Sequence, residues 1–178
     1  MTARPTDLAG EVTHLAHVRL IDPEAGTERE GHLSIGRDGT IAAIARDGAP
    51  PPGAHDCAGL RLAPGIVDIG VKVGEPGERH KESFASAGRA AARGGVTTMV
   101  TRPDTTPAID TPEVLEFVTR RAAEESVVRI APMAALTKGR AGREMTELSF
   151  LRDAGAVAFT DGDHVVEDTR VLARALAY

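Results

Sequence analysis

Cysteine is almost missing from this chain: Cys57 is the only one in 178 residues. A lone thiol excludes an internal disulfide framework and suits a reducing compartment. Cys57 has no local support as a nucleophile and reads as a small strand residue before a turn at Gly59. Tryptophan is absent and aromatic residues make up 3%, so the core must be assembled from Ala, Val, Leu and Ile. No basic excess exists either. A formal net charge of -5 and a pI near 5.7 argue against a nucleic-acid partner, which requires a cationic face. No apolar run could span a bilayer, and the opening stretch Met1–Asp7 carries no apolar signal segment. The expectation is a cytoplasmic protein with no membrane contact.

What is present is ordinary globular material, 42% hydrophobic and 26% charged. Two rhythms divide it. Residues 1–62 read as a small all-β domain, with short strands between turn signals. Thr13 to Ile21 alternates until Asp22-Pro23 breaks it. His32 to Ile35 and Ile41 to Ile44 flank a tight turn at Gly36-Arg-Asp-Gly39, and Gly48 to Gly53 is a loop.

From residue 63 to 178, short apolar runs alternate with helical stretches. The strands are expected at Ile66–Val73, Thr97–Thr101, Arg129–Ala134 and Ala156–Thr160. Helices are expected at Glu82–Arg93, from Pro112 to about Ala123, at Glu144–Ala154 and at Thr169–Tyr178. Thr111 reads as an N-cap with Pro112 at the first helical position. Gly94 and Gly95 read as a left-handed helix stop, and Gly77 after Pro76 as a turn. Four β-then-α units predict a parallel α/β sheet, half of the eight units that close a barrel. Because half a barrel leaves bare strand edges, and because no cap follows the last helix, the chain is expected to continue beyond Tyr178.

Several motifs point in one direction. Ala63-Pro-Gly-Ile-Val-Asp68 is followed by Glu75-Pro-Gly77, Lys81-Glu82, Gly94-Gly95-Val-Thr97-Thr98, Pro103-x-Thr105-x-Pro107 and Ala158-Phe-Thr-Asp161. In combination they resemble the start of the barrel in the dihydroorotase and cyclic-amidohydrolase family. The segment carrying Asp22-Pro23 and Gly59–Pro64 resembles that family's small N-terminal sandwich. The resemblance implies a (β/α)8 barrel that hydrolyses cyclic amides with one or two zinc ions. It also implies a first strand bearing His-x-His, then Leu-Arg-Glu-Pro-Gly, with the Arg on the substrate carboxylate. A substrate-binding Asn after the second strand and a metal-ligand Asp ending the fourth complete the family set.

The chain departs from that pattern at the chemistry. The histidine positions hold Gly70 and Lys72, the Arg position Gly74 and the Asn position Asp104; only Asp161 remains of the metal set. Glycine has no ligand atom and an ammonium has no lone pair. Asp104 is expected to repel an anionic substrate. Lys72 has two readings: a charge replacement pairing with Asp161 or with Asp68, or a solvated lysine. Asp161 is either a relic or a weak ligand, with Asp163 and His164 as loop residues. His14 and His17, three apart on a strand, are poor zinc candidates, and His32, His55 and His80 read as surface residues. Glu113, Glu116 and Arg120 read as a solvated helix face.

Three functions remain open at this point. Members lacking the histidine pair imply a catalytically inactive, structural subunit in pyrimidine biosynthesis, assembling with aspartate transcarbamoylase and needing no cofactor. The second is an active zinc hydrolase with an altered site built on Asp161. The third is a small-molecule binding protein that uses the former pocket.

Overall fold

The computed structural model describes residues 12–178; residues 1–11, with the reading of Met1–Asp7, lie outside the described residues. The chain divides into two compact units, one ending at Pro64 and one beginning at Gly65.

The first unit is a sheet of five strands: β1 (Thr13–Asp22), β2 (Thr27–Ile35), β3 (Ile41–Ala45), β4 (His55–Asp56) and β5 (Arg61–Leu62). β1, β2 and β3 form an antiparallel meander, and the two-residue strands β4 and β5 run parallel to β1. Asp22 holds the first turn by accepting from the backbone N–H groups of Glu24 and Ala25. The second closes where Gly39, at φ +78°, donates to the Gly36 carbonyl. β2 begins five residues earlier than the apolar pattern suggests. Its Thr27–Gly31 half is polar, and backbone pairing with β1 sustains it rather than burial.

Two histidine expectations change here. The register of β1 slips between Leu15 and Val18, and His17 takes φ +53°, so simple alternation does not apply to His14 and His17. They still part company, His14 to Ser34 and His17 to Asp56. His32 is not a surface residue but is buried, joining the His17 N–H to the Gly48 carbonyl through its two ring nitrogens. Cys57 follows β4 rather than lying within a strand.

The second unit contains β6 (Ile66–Val71), α1 (Phe84–Arg93), β7 (Val96–Thr101), α2 (Pro112–Glu125), β8 (Arg129–Pro132), α3 (Leu148–Asp153) and α4 (Thr169–Ala177). The strands are parallel in the order β6-β7-β8. The expected fourth strand is present only as an extended segment. Val157 donates to the Pro132 carbonyl, Ala134 to Ala158 and Thr160 to Ala134, around a single parallel bridge from Ala134 to Phe159. The described residues do not close a barrel.

Helix α1 starts at Phe84 rather than Glu82, because Ser83 and Ser86 form a reciprocal capping box. Gly95, at φ +80°, ends it, while Gly94 stays at negative φ. Thr111 occupies the N-cap position of α2, but its hydroxyl makes no cap bond. The expected third helix loses its first turn. Thr146 donates from N–H to Leu136 and from its hydroxyl to Ala135, which ties this stretch to the loop after β8.

Phe84 and Ala87 from α1, Met99 from β7, Leu115, Val118 and Ala122 from α2, and Leu151 from α3 form the core between helices and sheet. Burial of these apolar side chains drives the packing. On β6, at the sheet edge, Ile66, Val67 and Ile69 are exposed. None of the helices among the described residues is long and apolar enough to cross a membrane.

A buried carboxylate locks the β6–α1 connection. Glu75 accepts from the Phe84 N–H at 3.1 Å, and its other oxygen receives Arg121 of α2 at 3.3 Å. Replacing Glu75 with Ala leaves the buried Phe84 N–H without an acceptor, while Arg121 keeps its pairs with Glu124 and Glu125. We expect Glu75→Ala to destabilise the protein by about 2 kcal/mol, the cost of a buried unpaired donor, measured by urea unfolding. Glu75→Gln, which keeps an acceptor for Phe84, should lose clearly less; equal losses would mean that the Phe84 bond contributes nothing.

Candidate functional site

Parallel strands carry the residues at their C-terminal ends to one rim of the sheet, and the candidate positions lie there. β6 does not run straight into them. Its register against β7 shifts between Ile69 and Val71, and Gly70 at that bulge has φ +93°. That left-handed region favours glycine, and any other residue there is strained. β6 ends at Val71, so Lys72 projects from the loop that follows.

Lys72 reaches a carboxylate, though not one of those expected. Its Nζ lies 3.1 Å from Asp104 Oδ2. Asp104 also receives Arg102, with Nε at 3.0 Å from Oδ1 and Nη2 on Oδ2. Pairing of Lys72 with Asp161 or Asp68 is therefore corrected: the next loop along the sheet supplies the partner. Among the described residues Asp68 is exposed and in no ion pair. The side chain of Asp104 is 1% exposed, against 28% for Arg102 and 52% for Lys72.

Burial pushes the Asp104 carboxyl upward, but hydrogen bonds from Arg102 and Lys72 outweigh it and hold it below the ordinary carboxylate range. The Arg102 guanidinium is raised, chiefly by its bonds to Asp104. The expectation that Asp104 repels an anion is also corrected, since two cations face one buried carboxylate. Arg102 was not singled out in the sequence. The signal available was a cation two residues before Asp104, close enough in the chain for a fork to fold back.

Asp161 has found different partners. It is buried; Oδ1 accepts from the Thr137 N–H at 2.9 Å and Oδ2 from the Thr137 hydroxyl. Thr137, fully buried, also accepts from the Gly142 N–H. Arg140 donates to the Asp161 carbonyl and pairs with exposed Asp163, and His164 bonds the Arg140 carbonyl. The loops after the third strand and after the fourth segment are thus clasped together. Thr137 and Arg140 were invisible as site residues because their partners lie over twenty positions away.

Gly74 is closed to any side chain. A Cβ built there would stand 2.6 Å from the Glu78 carbonyl oxygen and 3.0 Å from that of Glu82. Among the described residues no three His, Cys, Asp or Glu side chains are grouped to hold a metal ion.

Residues 59–176 match the family described as dihydro-orotase-like. The chain belongs to the dihydroorotase-like family. A dihydroorotase-like protein of Pseudomonas aeruginosa is 44% identical over 165 residues, covering 90% of this chain and 38% of that protein. A dihydroorotase of Solibacter usitatus is 37% identical over 161 residues, covering 90% and 37%. This dihydroorotase-like chain therefore spans less than two-fifths of the length of the relatives it matches. An L-hydantoinase (dihydropyrimidinase) from Arthrobacter aurescens superposes with a TM-score of 0.70 at 24% identity, over 83% of this chain and 32% of that one. A D-hydantoinase gives 0.69 at 23%, over 93% and 37%. At such identities these structures show a shared fold and nothing more.

The ion cluster generates a pH-dependent prediction. A carboxylate with a depressed folded pKa contributes stability above its unfolded pKa of about 3.9, and loses it as pH falls through the folded value. Lys72→Met removes one of two cations and raises the Asp104 pKa. Because Lys72 is half exposed and Arg102 remains, the loss at pH 7 should be about 1 kcal/mol. The difference between the variant and the parent should shrink as pH falls through the folded pKa of Asp104 and vanish once that carboxyl is protonated in both. Denaturation midpoints across pH measure it; a difference that grows in acid would refute the assignment.

Proposed function

We propose that this chain is the N-terminal part of a dihydroorotase-like protein that does not carry out metal-dependent hydrolysis and serves pyrimidine biosynthesis structurally in the cytoplasm. In this reading the parallel units form the first half of a (β/α)8 barrel, and the strand-end carboxylates have been rededicated from metal chemistry to holding loops. One observation carries the proposal. The three positions at which the family holds zinc do not fit the ion: Gly70 has no donor atom and a left-handed backbone, Lys72 is an ammonium on Asp104, and Asp161 has both oxygens on Thr137. A catalytic zinc normally has three protein ligands, and it makes the hydrolytic nucleophile by acidifying bound water. Aspartate transcarbamoylase is the partner proposed, on family resemblance.

The natural full-length protein should show no turnover of dihydroorotate or carbamoyl aspartate with added zinc. The double change Gly70→His and Lys72→His should not restore it. Position 70 strains any side chain, and Gly74 leaves no room for the carboxylate-binding arginine. Mixing with aspartate transcarbamoylase from the same organism should give a co-eluting complex on size exclusion. Zinc-dependent turnover by the unaltered protein overturns the non-catalytic reading; separate elution overturns the partner.

A further inference from the structure

In the first unit a buried imidazole holds a strained piece of backbone. His17 sits where β1 slips register against β2, and its φ is +53°, a conformation uncommon for a residue with a side chain. Its N–H donates to His32 Nδ1 at 3.2 Å, and the two rings stand edge to face with centroids 5.4 Å apart. The His17 ring is tied on its other side. Its Nδ1 lies 3.0 Å from Asp56 Oδ1, and that bond holds the Asp56 carboxyl below its ordinary range.

These partners fix the tautomer of His32. A backbone N–H only donates, so Nδ1 accepts and carries no proton. The Gly48 carbonyl, 3.2 Å from Nε2, only accepts, so Nε2 carries the single proton. A second proton would have to sit on Nδ1, facing a donor, and would break the bond to His17. From β1 the ring faces His17, which already engages Asp56 of β4. Along β2 it is flanked by Glu30, opposite Arg19, and by Ser34, which bonds His14. The chain leaving β3 brings Arg46 and Asp47 ahead of Gly48. Among the described residues none of these side chains bonds the His32 ring, so no carboxylate offsets a charge there.

We infer that His32 is an acid-sensitive latch: neutral, it locks the His17 bulge of β1, and on taking up a proton it releases it. In the opened form water can accept from Nδ1–H, whereas the locked form has no acceptor there, so by linkage the lock weakens as pH falls. Release lets the left-handed residue relax. It also loosens the stretch that carries β4, because Leu15 and Ala16 pair with His55 and Asp56, and the Ala16 carbonyl accepts from Cys57. A cleft lined by His17, Arg19, Glu30 and Arg61 borders the bulge, so its wall moves with the latch. Every partner lies in the first unit, which makes the inference independent of the non-catalytic reading.

The test follows amide hydrogen exchange in the natural full-length protein, corrected for intrinsic rates, between about pH 7.5 and about pH 5.5, the range in which an unperturbed imidazole changes charge. Protection at residues 15–18 should fall about tenfold across that range, the scale of one lost hydrogen bond, while protection in β7 stays unchanged. His32→Gln keeps an acceptor and a donor on one side chain but does not titrate, so its protection at the bulge should not depend on pH. Parent protection that is flat with pH overturns the latch, and a fall shared equally by β7 is global acid unfolding and overturns it too. A His32→Gln variant that responds like the parent assigns the response to His14 or His17 and also decides against it. Should His32→Gln fail to fold, the ring 15N shifts of the parent at neutral pH decide: an unprotonated Nδ1 on His32 supports the latch, and an Nδ1–H tautomer or an imidazolium overturns it.

Discussion

A carboxylate removed from water must be given donors or cations, or it gives up its charge. Asp104 meets this constraint at the centre of the strand ends, and the neighbouring geometry follows from how it does so. Arg102 bends back onto it in a two-point contact, and Lys72 crosses from the adjacent loop to share an oxygen. The ends of β6 and β7 are thereby joined through side chains as well as through their ladder.

Two further buried carboxylates satisfy the same constraint by other means. Glu75 uses the first N–H of α1 and Arg121 of α2, so a single side chain aligns a loop, a helix start and a second helix. Asp161 uses the N–H and hydroxyl of Thr137. None of the three sits in a group of metal-ligating side chains. In each case an acidic side chain in a loop after a strand fastens a connection.

Glycine at two family positions reinforces this arrangement. Gly70 permits the bulge that ends β6 early, and Gly74 lets the loop carbonyls of Glu78 and Glu82 approach where an arginine would otherwise start. Any side chain at Gly70 is strained, and one at Gly74 would meet those carbonyls.

By itself the sequence determined the class of fold, the meander followed by parallel βα units, and the family. Hydrophobic period, turn glycines and the Pro112 helix start are local signals, and each unit of secondary structure reads them within a few residues. The sequence also shows which residues stand where the family resemblance implies metal ligands, because Gly70 and Lys72 lie at fixed spacings from motifs that remain. Tertiary structure decided which charges meet. Lys72 could have turned to Asp68, Asp161 or Asp104, and the choice rested on which loop packed beside it and which oxygens Thr137 had already taken. It also decided that His32 is buried, that β2 extends through a polar stretch, and that the fourth strand is reduced to a bridge. Pairing partners distant in sequence settle such questions, and their distances exist only once the chain is folded.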